Sequence, residues 1–104
     1  MDPVLEALKK ELEIEAGRDH VPIIRGPERA LLLSAAEKAS PKRILEIGAA
    51  IGYSSLLLAE RFPLAEIDTL EIDSARHARA EEVMRAAGFS HRVHCHLGDA
   101  AELL

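Results

Sequence analysis

Hydrophobic positions along this chain change their period at Arg43. Before it they recur at helical spacing. Val4, Leu5, Leu8 and Leu12 repeat every third or fourth residue behind Asp2, a residue type that caps helices, and Pro3, which fits a first turn. The pattern predicts a first helix that Gly17 stops. A second helix opens at Pro27 and runs through Ala39, with Leu31, Leu32, Ala35, Ala36 and Ala39 expected on its buried side and Ser40-Pro41 ending it. Between them, Arg18 to Arg25 holds Pro22 and two adjacent isoleucines, which reads as an extended connector pressing apolar side chains against the body.

From Arg43 onward, short apolar runs alternate with helical stretches. Strands are expected at Arg43 to Ile47, Glu66 to Ile72 and Arg92 to Leu97. Helices are expected from about Gly52 to Arg61, closed by Phe62-Pro63, and from Ser74 to Ala87, closed by Gly88. Right-handed crossovers place three such strands in the order 3-2-1, one half of a doubly wound sheet. The fold class is therefore α/β, a Rossmann-like parallel sheet truncated after its third strand and preceded by two helices. Residues 1–42 form the amino-terminal helices and connector, and residues 43–104 the first half of the cofactor-binding domain, around one core. A first strand with no fourth beside it would expose unpaired backbone, so self-association or a homodimer is expected.

Composition narrows this reading. At 104 residues, 48% of them hydrophobic, the chain suits one globular unit. No apolar run approaches the ~18 residues of a membrane span, and the acidic amphipathic start is unlike a signal peptide. One cysteine, Cys95, allows no internal disulfide and suits a reducing cytoplasm. A net charge of -5 argues against a general phosphate-binding surface, although it leaves a specific RNA substrate open.

The chemistry concentrates at Arg43-Ile44-Leu45-Glu46-Ile47-Gly48-Ala49-Ala50-Ile51-Gly52-Tyr53-Ser54-Ser55, a strand that enters a small-residue turn and then a helix. Gly48 and Gly52 allow backbone to approach a ligand, and the helix start offers free N–H groups. Counted from Gly48, the dinucleotide pattern G-x-G-x-x-G fails at Ala50 and Tyr53. Glu46 beside the loop would repel a pyrophosphate but attract an ammonium and a sulfonium, which points to S-adenosylmethionine. Glu71 ends the adjacent strand about twenty residues on, where a carboxylate can accept from two ribose hydroxyls. Ser54 could hold the methionine carboxylate or be an ordinary first-turn serine. Asp99, after the third strand, could bind the adenine amino group or cap the helix through Ala100 and Ala101, whereas Asp73 reads as the cap of the helix at Ser74. Tight chain reversal alone remains an alternative reading of the glycines.

The histidines do not suggest a metal. His94 and His96 share one strand face while Cys95 points to the other, so the three cannot converge on one ion. The polar face suits an outer strand turned to solvent.

"RILEIGAAIGYSS", "TLEID" and "HLGDA", in this order and spacing, resemble the class I S-adenosylmethionine-dependent O-methyltransferases of the catechol and caffeoyl-CoA group over essentially the whole chain. His20-Val21-Pro22-Ile23 ahead of the second helix is similar to the bacterial tRNA 5-hydroxyuridine methyltransferases. The resemblance implies methyl transfer to a hydroxyl group of a tRNA or a small catechol-type substrate. By matching position it places Glu46, Gly48, Gly52 and Ser54 around the methionine moiety, Glu71 on the ribose and Asp99 near the adenine, with a backbone contact from Ile23 or Ile24. Ala50 stands where such loops often have glycine, which is harmless if that position needs no positive φ. The family also implies Mg²⁺ or a similar cation whose ligands follow a fourth strand. No catalytic or metal role is therefore assigned to any residue of this chain, and the 104 residues alone are expected to be inactive.

Overall fold

Helix α1, Pro3–Asp19, begins where Asp2 accepts a hydrogen bond from the Val4 N–H at 2.9 Å. The computed structural model describes residues 2–23 and 26–103, so Ile24 lies outside the described residues. Leu5, Leu8, Leu12 and Ala16 form the buried stripe of α1, while Val4 falls to its flank and is exposed. The helix passes through Gly17, contrary to expectation, and ends at His20 in the left-handed region. A glycine inside a helix costs only about 1 kcal/mol, and burial of Val21, whose N–H bonds the Ala16 carbonyl, fixes the later ending.

Helix α2, Gly26–Ala39, turns inward only part of the expected face, Leu32 and Ala36, and adds Leu33 to it. Leu32, Leu33 and Ala36 pack against the core, whereas Leu31 is 71% exposed and Ala35 and Ala39 face outward. Residues 31, 35 and 39 also repeat at helical spacing, so periodicity admits either stripe, and the helix's rotation against its neighbours selects one.

Strands β1 (Arg43–Ile47), β2 (Glu66–Glu71) and β3 (Val93–Leu97) form one parallel sheet in the order β1-β2-β3, the expected half of a doubly wound sheet. Ile44 lies opposite Ile67, and Ile67 opposite Val93. Helix α3 (Tyr53–Arg61) and helix α4 (Ser74–Ala87) make the crossovers, and the short α5 (Ala100–Leu103) follows β3. Asp73 caps α4 by accepting from the Arg76 N–H at 2.8 Å, and Gly88 closes it in the left-handed region, both as expected.

Only one face of the sheet is covered by the described residues. Ile67 and Val93 are buried with Leu56, Val83, Met84 and Leu12 in a single cluster to which α1, α3 and α4 contribute. On the opposite face Leu45 and Ile47 are exposed, and Leu70, between Ile47 and His96, is buried. There His94 pairs with Glu66 and His96 with Asp68, each at 2.9 Å, while Cys95 lies half-buried on the helix side. That arrangement is the solvent-facing histidine strand read from the sequence.

Candidate cofactor-binding site

The turn from β1 into α3 is built from three left-handed residues, Gly48 at φ 81°, Ala50 at φ 50° and Gly52 at φ 91°. Gly48 and Ala49 both donate to the Leu70 carbonyl, at 2.7 and 3.1 Å, which anchors the loop on the carboxyl end of β2. Ala50 is thus held at positive φ after all. A non-glycine residue there carries a strain of about 1–2 kcal/mol. Its N–H donates to Glu71 Oε1 at 2.7 Å, a bond that holds the strained residue in place.

The two loop glycines serve different ends. Nothing lies within 4 Å of a Cβ added at Gly48, so the space beside it is open. At Gly52 the added Cβ would lie 3.2 Å from Ala80 Cα and 3.3 Å from Met84 Cε, so this glycine lets α4 approach α3. Its N–H is given to Ala49 O and its carbonyl receives the Leu56 N–H. Open space of the kind a ligand needs, expected beside both, is found at Gly48 and not at Gly52.

A cavity of about 270 Å³ opens at Gly48, walled by Pro22, Ile23, Ala49, Ala50, Tyr53 and Ser54. Pro22 and Ile23 bring the connector to the loop. Because Gly52 has no side chain to cap α3 and the first helical bond is Leu56 to Gly52, the N–H groups of Tyr53, Ser54 and Ser55 form the unbonded first turn of the helix. Such a turn favours an anionic group such as a carboxylate.

Glu46 projects from β1 under this helix start and accepts hydrogen bonds from the Ser54 and Ser55 hydroxyls. Burial pushes its carboxyl above the usual range, opposed by the two serine bonds. Its charged form lacks a cationic partner among the described residues, so a ligand ammonium is the group it would gain most from.

Glu71 is buried at the end of β2, with Oε1 on the Ala50 N–H and Oε2 on the Asp73 N–H at 2.9 Å. It joins loop to strand end, and each oxygen retains a lone pair for a hydroxyl donor. Asp99 Oδ1 accepts from the Ala101 N–H at 2.9 Å, the cap bond read from the sequence, while its Oδ2 makes no bond among the described residues. The site therefore brings Glu46, Gly48, Ser54 and Glu71 to one sheet edge, with Gly52 behind the loop and Asp99 at the neighbouring strand end.

A larger cavity of about 580 Å³ lies elsewhere, between α1, α2 and α3. Three of its four cations are already paired, Lys9 with Glu6 and Glu60, Arg29 with Glu13, and Arg61 with Glu37, and Lys10 is the fourth. Ligands of open α/β sheets bind at the carboxyl ends of strands, so position decides for the smaller cavity.

Residues 4–104 match the profile of the O-methyltransferase family. The chain belongs to this family. Among solved structures it resembles a putative caffeoyl-CoA O-methyltransferase from Staphylococcus aureus, with a TM-score of 0.83 and 29% identity over 90% of this chain and 45% of that one. It also resembles the O-methyltransferase TomG of Streptomyces achromogenes, solved in complex with SAM, at a TM-score of 0.77 and 28% identity over 99% of this chain and 46% of the other. Among curated proteins, a tRNA1(Val) (adenine(37)-N6)-methyltransferase of Vibrio cholerae is 36% identical over 90 residues, 86% of this chain and 37% of that protein. This O-methyltransferase-family chain thus spans less than half the length of each of these relatives.

The sequence reading missed two buried polar anchors. Tyr53 sits between Glu13 and Arg29, and Arg92 is buried against three carbonyls. A tyrosine placed at a helix start beside glycine was the available signal for the first, because a buried phenol needs a partner.

Proposed function

We propose that this chain binds S-adenosylmethionine in the cavity at Gly48 and forms the cofactor-holding part of an enzyme that methylates a hydroxyl group. The open space where Gly48 lacks a Cβ, beside two carboxylates at adjacent strand ends, carries the reading. Glu46 would face the ammonium, Ser54 and the first-turn N–H groups of α3 the carboxylate, and Glu71 the ribose hydroxyls, with Asp99 toward the adenine. When bound, the cofactor supplies an electrophilic methyl group on a sulfonium. The residues of this chain orient it and replace its water shell. Residues 1–42 wall the cavity through the connector, and residues 43–104 hold the ligand.

The acceptor we favour is a hydroxylated wobble uridine in tRNA, in a cytoplasmic enzyme; a relative whose name gives a tRNA substrate supports the RNA, while the acceptor in that name is an adenine nitrogen. The same region is shared with TomG, which is involved in tomaymycin synthesis, and this favours a small hydroxylated substrate as the second reading. Mg²⁺ finds no ligand set, since the described residues contain no group of three or more His, Cys, Asp or Glu able to hold a metal ion. No described helix is long and apolar enough to cross a membrane.

Calorimetric titration with S-adenosylmethionine tests the reading. Glu71→Ala should weaken binding by about 1.5–3 kcal/mol, the range for a hydrogen bond to a charged group. Unchanged affinity would remove Glu71 from the site. Binding of tRNA that weakens steeply with salt would support the RNA substrate, and salt-independent binding of a catechol would support the other.

A further inference from the structure

Tyr53 is the first residue of α3 and is 2% exposed. It helps line the loop cavity beside Ala50 and Ser54, and its hydroxyl reaches α1 and α2. The hydroxyl donates to Glu13 Oε2 on α1 and accepts from Arg29 Nη1 on α2 at 2.8 Å. Glu13 and Arg29 are themselves 3.7 Å apart, so three helices meet at one charged cluster. The connector that supplies Pro22 and Ile23 to the cavity wall runs between those same two helices. One side chain thus holds the helix start on one side of the cavity and both supports of the wall on the other. Burial, and after it the Glu13 carboxylate, push the Tyr53 phenol up, so it stays a donor at neutral pH. A phenol between a carboxylate and a guanidinium makes charge-assisted bonds on both sides, the stronger kind.

We propose that Tyr53 is a positioning residue that clamps α1 and α2 to the cofactor loop, so that ligand binding in the loop cavity and the seating of these helices reinforce each other. The inference rests on the reading that the cavity holds S-adenosylmethionine. It goes further by giving the amino-terminal helices a part in cofactor affinity, although Glu13 and Arg29 do not line the loop cavity. Coupling of this kind is reciprocal, so the ligand must also act on the cluster.

Tyr53 is the sole tyrosine and the chain has no tryptophan, so its emission reports on the cluster without a background. The test titrates S-adenosylmethionine into the full chain and into Tyr53→Phe, Glu13→Ala and Glu13→Gln, by calorimetry and, where the tyrosine remains, by its fluorescence. The phenylalanine variant keeps the buried ring, and far-ultraviolet dichroism checks that each variant is folded. Tyr53→Phe and Glu13→Ala should bind at least about fivefold more weakly, the lower end of coupling between sites. Glu13→Gln, which keeps an acceptor for the phenol, should recover most of the affinity, and the ligand should change Tyr53 emission in the unsubstituted chain. Equal affinity in folded Tyr53→Phe and Glu13→Ala, or unchanged emission on binding, would overturn the clamp and leave the cofactor reading standing. No binding by the unsubstituted chain would overturn both.

Discussion

Gly48 and Gly52 have the same backbone hand and opposite surroundings, so substituting each should separate binding from stability. Gly48→Val places its side chain in the open cavity, and its cost to the free protein is the left-handed strain of about 1–2 kcal/mol. Gly52→Ala adds to the same strain a contact at 3.2 Å with the backbone of α4. Thermal melts should therefore show the larger loss for Gly52→Ala, while calorimetry should show S-adenosylmethionine binding abolished in Gly48→Val. The reverse ranking in the melts would place the crowding at the wrong glycine. Glu46 permits a second comparison. Because its folded pKa is raised, the folded state holds its proton more tightly than the unfolded state does. Its contribution to stability falls as pH rises from the ordinary value of 4.5 through the raised value, and the penalty is constant above that. Glu46→Gln should remove this dependence, so urea denaturation should find the variant's advantage over the parent larger at pH 7 than at pH 4. Cofactor binding should weaken in the same variant. An advantage that does not change with pH would mean that Glu46 keeps its ordinary pKa in the fold.

Among the elements, α3 depends on a residue far along the chain. In its last turn the Phe62 N–H bonds Leu58 O, Arg92 Nη2 bonds Ala59 O, and beyond the helix Arg92 Nη1 bonds Phe62 O at 3.1 Å and Ala65 O at 3.3 Å. The guanidinium also stacks 4.7 Å from the centre of the Phe89 ring. β3 begins at Val93 and not at Arg92, whose N–H is taken by the Phe89 carbonyl at 3.1 Å in the preceding turn. Arg92→Met keeps the apolar stem and removes the donors. It should lower stability by about 1.5–3 kcal/mol, the cost typical of hydrogen bonds to a charged group. Urea midpoints within about 0.5 kcal/mol of the parent, the spread of ordinary surface substitutions, would show that water serves those carbonyls equally well.

At the level of the whole molecule, a radius of gyration of 12.8 Å shows collapse around the core even though one sheet face is uncovered. That face carries Leu45 at 51% and Ile47 at 62% exposure on β1, an edge strand among the described residues. Parallel sheets are ordinarily covered on both faces, and an apolar edge recruits other chains. We propose that the 104-residue chain self-associates through β1. Ile47→Lys should shift sedimentation toward monomer while leaving the melting temperature within a few degrees, because an exposed side chain contributes little to the core. A parent chain that sediments as a monomer at all concentrations would end the proposal.

Most of the fold was legible because strand and helix periods alternate cleanly after Arg43, and because Asp73, Gly88 and Pro3 act through neighbours in sequence. The parallel order followed from the handedness of crossovers, which is a local steric property. Glu46, Gly48, Ser54 and Glu71 could be brought to one edge for the same reason, since strand ends in such a sheet share a side. The sequence could not decide which stripe of α2 faces inward, because Leu31-Ala35-Ala39 and Leu32-Ala36 both satisfy helical spacing and only packing distinguishes them. Nor could it show that Gly52 yields to Ala80, that Ala50 is left-handed, or that Tyr53 meets Glu13 across 40 positions. Those contacts join residues distant in the chain, and their geometry is set only when the helices close on the sheet.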